Sequence, residues 1–140
     1  MSANYKNIYV ALDFSKKSKE AYEKAIQIAR LNGATLNLVC VIDTQSFGTV
    51  EAYDRKYAKE LHAKAIVELE KLKESAIEQG VVSVNPIVQE GAAKKILIGF
   101  EDADLIIVGA TGRGSVELFM LGSVSTNVVR HAKCDVLVVR

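Results

Sequence analysis

Apolar and polar positions along the chain follow two alternating rhythms. Five short stretches are rich in Val and Ile and bounded by Gly, Asp or Asn, as strands are: Lys6–Asp13 (KNIYVALD), Thr35–Ile42 (TLNLVCVI), Val82–Gln89 (VSVNPIVQ), Asp104–Gly109 (DLIIVG) and Asp135–Val139 (DVLVV). The last two carry four consecutive apolar residues without alternation, the pattern of strands covered on both faces. Between the strands the apolar spacing changes to three and four. Ser15 or Ser18 can cap a helix running to Leu31, with Ala21, Ala25 and Ile28/Ala29 on one face and Gly33 suited to its left-handed end. The stripe Ala58, Leu61, Ala65, Leu69, Leu72 and Ala76 predicts a long helix from Glu51 to Gln79, stopped by Gly80. Shorter helices are expected over Ala92–Glu101, with Ile96, Leu97 and Phe100 apolar, and over Ser123–Ala132, where Arg130 and His131 suit the negative end of the dipole.

Strict alternation of strand and helix means an α/β fold, a parallel sheet with helices on both faces. Pro86, the only proline, cannot donate to a ladder, so its strand belongs at an edge or a bulge. Open sheets of this kind bind ligands beyond the carboxyl ends of the strands, where the strand order reverses. The loops after strands one and four therefore matter most.

At 140 residues and 15.2 kDa, the chain is the size of one domain, residues 1–140. Its 49% hydrophobic and 25% charged residues exclude wholesale disorder. Eighteen Lys+Arg against 17 Asp+Glu leave a formal +1, without the basic excess that duplex binding needs, so no nucleic-acid partner is expected. No apolar run approaches the ~20 residues of a membrane span. The opening Met1–Lys6 lacks the plan of a signal peptide, and the expected location is the cytoplasm, away from membranes. Cys40 and Cys134 lie in or beside apolar stretches and read as reduced core thiols, a redox role for Cys134 being the alternative. His62 and His131 fall on helices with no ligand partner at metal spacing, so surface or dipole roles are expected and no metal site is assigned to them. Tyr53 and Tyr57, one helical turn apart, are expected to cover the core, and Asp43–Val50 to form a loop over the site.

The distinctive chemistry follows strand four, in Gly109-Ala110-Thr111-Gly112-Arg113-Gly114-Ser115, before Gly122-Ser123 opens the last helix. Four of the nine glycines lie within these fourteen positions, 109–122. Gly109 is read as the turn off the strand, and Gly112 and Gly114 as places where backbone N–H groups approach a ligand without a Cβ in the way. Gly122-Ser123 stands at a helix N-terminus, where unpaired N–H groups and the dipole attract an anion. Two phosphate-binding devices thus flank one loop. A purely structural reading, tight turn plus N-cap, competes with this. It weakens on spacing, because with ~7% glycine usage G-x2-G-x9-G-[S/T] arises by chance in well under one in a hundred such chains.

Gly109, Gly112, Gly122 and Ser123 match the G-x2-G-x9-G-[S/T] motif of the ATP-binding branch of the universal stress proteins, which this chain resembles throughout. The likeness includes the opening Ile8–Ser15, the strand Asp104–Gly109, Leu121–Ser125 and the ending Val136–Val139. It implies a Rossmann-like, open five-stranded sheet of order 3-2-1-4-5, which sets the Pro86 strand at an edge and strands one and four side by side. It further implies that Ala11, Asp13 and Val41 line an adenosine pocket. Gly109, Thr111, Gly112, Arg113 and Gly114, with Gly122, Ser123, Val124 and Ser125, would hold ribose and phosphates. The implied ligand is ATP or AMP, with Mg2+ or Mn2+ held mainly by the phosphates. Two departures from the family are Thr111, where a His is frequent, and Asp135, where Pro is usual.

Other nucleotide folds fit less well. No lysine follows Gly114 or Gly122 as a P-loop requires, and G-x-G-x-x-G is missing after strand one. A receiver domain would need an acidic pair after strand one, and a flavodoxin a phosphate loop there; Asp13-Phe14-Ser15-Lys16-Lys17 offers neither. The favoured function is a binding and signalling module responding to ATP, with unidentified protein partners. The alternative is a slow ATPase or nucleotidyl-transfer enzyme, for which Arg113 and Glu117 are the nearby candidates to stabilise charge and orient water. Val136–Val139, an unprotected apolar edge strand in the order 3-2-1-4-5, predicts a homodimer through that strand, which the family resemblance also implies.

Overall fold

The computed structural model describes residues 5–43, 51–110 and 122–140, with the side chains of residues 43, 51–54, 122 and 123 outside the description. Five strands, β1 (Asn7–Ala11), β2 (Thr35–Asp43), β3 (Ser83–Gly91), β4 (Leu105–Gly109) and β5 (Asp135–Val139), form one sheet of order β3-β2-β1-β4-β5. Every neighbouring pair is parallel. Four helices make the crossovers: α1 (Lys16–Asn32), α2 (Glu51–Glu78), α3 (Ala93–Ile98) and α4 (Gly122–His131).

Strand alternation divides the core into two. Ile8 and Val10 of β1, Leu36, Leu38, Cys40 and Ile42 of β2, and Leu105 and Ile107 of β4 pack with α1 and α2 on one face. Tyr9, Ala11, Val39, Val41, Ile106 and Val108 pack with α3 and α4 on the other. Both faces of the central strands are therefore apolar, as their unbroken apolar runs require. A buried polar side chain also links the strands. Buried Asn37 of β2 donates through Nδ2 to the Ile8 carbonyl at 3.2 Å and accepts from Asn85 Nδ2 of β3 at 3.1 Å, which pins the register of three strands.

Helix ends follow local chemistry. Ser15 is the N-cap of α1, its side chain accepting from the Ser18 N–H at 3.2 Å. Gly33 ends that helix at φ 62, and Gly80 follows α2 at φ 105. The α2 stripe is buried at Ala58, Leu61, Ala65, Leu69 and Ala76, with Leu72 packed against the same cluster. Three expectations need adjustment. The first strand stops at Ala11, because after Leu12 donates to the Val39 carbonyl at 2.7 Å the Asp13 N–H turns to Ser18 Oγ. The helix expected over Ala92–Glu101 covers only Ala93–Ile98; Gly99 closes it, and Phe100 leaves to stack on Tyr9 with ring centroids 4.3 Å apart. Tyr57 is 37% exposed instead of covering the core, and the Tyr53 side chain lies outside the described residues. Pro86 sits in edge strand β3.

Leu69, fully buried, and Val67, 54% exposed, test this packing on one helix. Leu69→Ala should cost about 3 kcal/mol in urea unfolding, through lost transfer energy and a cavity. Val67→Ala should stay within about 0.5 kcal/mol. Equal losses at the two positions would contradict the assigned face of α2.

Candidate functional site

The helices that follow β1 and β4 lie on opposite faces of the sheet. β1 leads into α1, which packs on one face of the sheet, whereas β4 precedes α4, which packs on the opposite face. A crevice opens where adjacent parallel strands send their connections to opposite faces.

At the β1 lip the chain turns through Asp13-Phe14-Ser15. Asp13 is fully buried, and its Oδ1 accepts from both the N–H (3.0 Å) and the hydroxyl of Ser15. The Asp13 N–H in turn donates to Ser18 Oγ at 3.3 Å, so the carboxylate is locked to the first turn of α1. Phe14 lies between them at φ 64, left-handed backbone that costs a side-chain-bearing residue about 1–2 kcal/mol. The Asp13–Ser15 bonds hold it there. Asp13 Oδ2 is equally buried and has no hydrogen-bond partner among the described residues. A buried carboxylate oxygen left unpaired is expensive, and such groups call for a specific partner. Burial first, and then the nearby Asp13 charge, push the Cys40 thiol up to about 12, which sets Asp13 close to β2 as well.

Ala11, Val41 and Val124, three of the residues singled out from the sequence, come from β1, β2 and α4 into one buried apolar cluster that also holds Val108. Buried Ser125 reaches back from α4 to donate to the Ala110 carbonyl at 3.3 Å. The Ala110 N–H is bonded to the Val139 carbonyl at 2.8 Å, which fixes the chain as it leaves β4. Gly122 and Ser123 form the start of α4, and their side chains are outside the described residues. Thr111, Gly112, Arg113, Gly114 and Glu117 lie outside them altogether, as do residues 44–50 of the loop expected over the site.

Gly109 has a close-packing role besides the turn expected of it. Its φ is not positive. A Cβ there would meet the backbone C and O of Lys17 at 3.1 Å and the Lys17 Cβ at 3.2 Å. The glycine eases the close packing of the first turn of α1 on the carboxyl end of β4. Sequence reasoning missed this contact and the strained Phe14; a tertiary contact leaves no local pattern, and phenylalanine gives no sign of left-handed backbone.

The remaining candidates are peripheral. His131 is exposed and His62 half-buried. Cys40 and Cys134 are both free thiols, the first buried and the second half-buried. Among the described residues no three His, Cys, Asp or Glu side chains come together as a metal site, and no helix is long and apolar enough to cross a membrane.

The pattern of the universal stress protein family matches residues 4–140. A universal stress protein of Staphylococcus aureus (strain USA300) is 40% identical over 140 residues, covering 97% of this chain and 84% of its own. Among solved structures, the universal stress protein UspA from Lactobacillus plantarum is 26% identical with a TM-score of 0.88, covering 99% of this chain and 100% of its own. A universal stress protein in complex with cAMP is 27% identical with a TM-score of 0.72, covering 98% of either chain. A family pattern that runs to the last residue, on a sheet of the same architecture, makes this protein a member of the universal stress protein family.

Proposed function

We propose that this protein binds an adenine nucleotide, ATP or AMP, in the crevice between β1 and β4, and works as a small cytoplasmic binding and signalling module. The observation that carries the reading is the buried Oδ2 of Asp13, without a hydrogen-bond partner among the described residues, at the same end of the sheet as Ala11 and Val41 of the apolar cluster. An adenosine presents a flat apolar ring with amino and hydroxyl donors, and a donor of that kind would satisfy the carboxylate at little cost in new desolvation. The related protein solved with cAMP supports the same ligand class. Phosphates would extend from there toward the N-terminus of α4, whose unpaired N–H groups favour an anion. The glycines Gly112 and Gly114, with Thr111 and Arg113, are assigned to the phosphate cradle on the G-x2-G-x9-G-[S/T] spacing. Mg2+ or Mn2+ would ride on the phosphates and neutralise charge there.

Isothermal calorimetry tests the assignment. Native protein should bind ATP, and Gly122→Val, which puts a branched side chain at the start of α4, should weaken that binding about a hundredfold or more while the unfolding midpoint stays near native. Chelating divalent cations should weaken ATP binding to the native protein. ATP binding unchanged in the variant, or absent from the native protein, would contradict the reading.

We further propose a homodimer through β5. Its outer edge is open in the described sheet, with β4 on its other side. The Val139 carbonyl is bonded to the Ala110 N–H, so Val139 and Leu137 direct their backbone groups toward β4, and Val136 and Val138 direct theirs toward the open edge. Antiparallel pairing with a second copy would satisfy those groups. Light scattering should give twice the 15.2 kDa chain mass for the native protein and a single chain mass for Val138→Pro, which removes an outward N–H. A monomeric native protein, or a dimer indifferent to Val138→Pro, would contradict this.

A further inference from the structure

We propose that Lys17 is the cation that meets the phosphate chain of the bound nucleotide, so that this chain favours adenosine di- and triphosphates over monophosphates. The proposal rests on the adenine-nucleotide reading and extends it to the ligand class.

Three observations converge on Lys17. The first is position. The space a side chain at Gly109 would fill is taken by the Lys17 backbone and Cβ, at 3.1 to 3.2 Å, so Lys17 is fixed at the carboxyl end of β4. The next residue, Ala110, is tied through its carbonyl to Ser125 of α4. Lys17 thus stands beside the place where the chain leaves β4 for the α4 N-terminus, and its flexible stem carries the ammonium about 5 Å beyond Cβ. Lys16 and Lys19 are directed elsewhere. They border a separate hollow between α1 and α2, lined also by Leu12, Phe14 and Leu72.

The second observation is charge placed against the helix dipole. The first turn of α1 contains no acidic residue and starts Lys16-Lys17. The amino end of a helix favours anions and is destabilised by cations. Such an arrangement is unfavourable alone and becomes favourable when an anion binds over it, which the phosphate chain would do.

The third is availability. The Lys17 ammonium pairs with Glu20 at 3.4 Å, and both side chains are more than a third exposed (37% and 36%). Water and salt screen such a pair, so it contributes little and yields readily to a doubly charged phosphate. A phosphate oxygen would gain a charge-assisted hydrogen bond. One lysine offsets only part of the charge of a triphosphate, so the divalent cation retains its role.

The test compares ATP, AMP and adenosine by calorimetry at two salt concentrations, for the native protein, Lys17→Gln and Lys17→Arg. The native protein should bind ATP more tightly than AMP. Lys17→Gln should lose about tenfold in ATP affinity, keep adenosine affinity within about twofold, and show a shallower salt dependence for ATP. Lys17→Arg should recover most of the loss. Unchanged ATP affinity in Lys17→Gln, or an equal fall for ATP and adenosine, would overturn the role of Lys17 and leave the adenine-nucleotide reading standing. A native protein that binds none of the three would overturn that reading and this proposal with it.

Discussion

The missing side chain at Gly109 is the constraint on which the site depends. α1 packs tightly on the end of β4 at Gly109, where a Cβ would come within 3.1 Å of the Lys17 backbone and force the helix to give by a few tenths of an ångström. With α1 seated there, its cap residue Ser15 comes under the carboxylate of Asp13, and Ser18 takes the Asp13 N–H. The turn that joins β1 to α1 is then over-determined. It tolerates Phe14 at φ 64 and keeps Asp13 fully buried with one oxygen unpaired among the described residues. Strain and an unsatisfied polar group in the same three residues are features that proteins retain where a ligand is handled.

The sheet supplies the opening. Parallel pairing puts every strand's carboxyl end on one side, and α1 and α4, which follow the adjacent strands β1 and β4, pack on opposite faces. Ala11 and Val41 belong to the same buried cluster as Val124, from the helix that carries the proposed phosphate contacts.

Most of the fold was legible in the sequence, because alternation and three-four spacing are imposed directly by strand and helix geometry. Five strands and four helices lie where those rhythms set them, and Pro86 announces its edge. The order β3-β2-β1-β4-β5 came from resemblance, since periodicity says nothing about which strands are neighbours. For the proposed site, Asp13, Ala11 and Val41 lie toward the carboxyl ends of β1 and β2 and Val124 and Ser125 near the start of α4, while the close packing at Gly109 left no sign in the sequence, because a turn glycine and a close-packing glycine look alike in one dimension. The proposed role of Lys17 left no signal for the same cause. In the sequence it is one of several lysines in a polar run, and only the contact with Gly109 separates it from Lys16 and Lys19.

The central claim, that an adenine nucleotide sits above the carboxyl ends of β1 and β4, is tested most directly by a nitrogen-15 amide spectrum of the protein titrated with ATP. The account predicts the largest shifts at Asp13, Phe14, Ser15, Val41, Ala110 and Ser125, with little change at Asn7, Asp104 and Asp135, which lie at the opposite ends of the strands. Shifts concentrated at that opposite end, or none at saturating ATP, would contradict it.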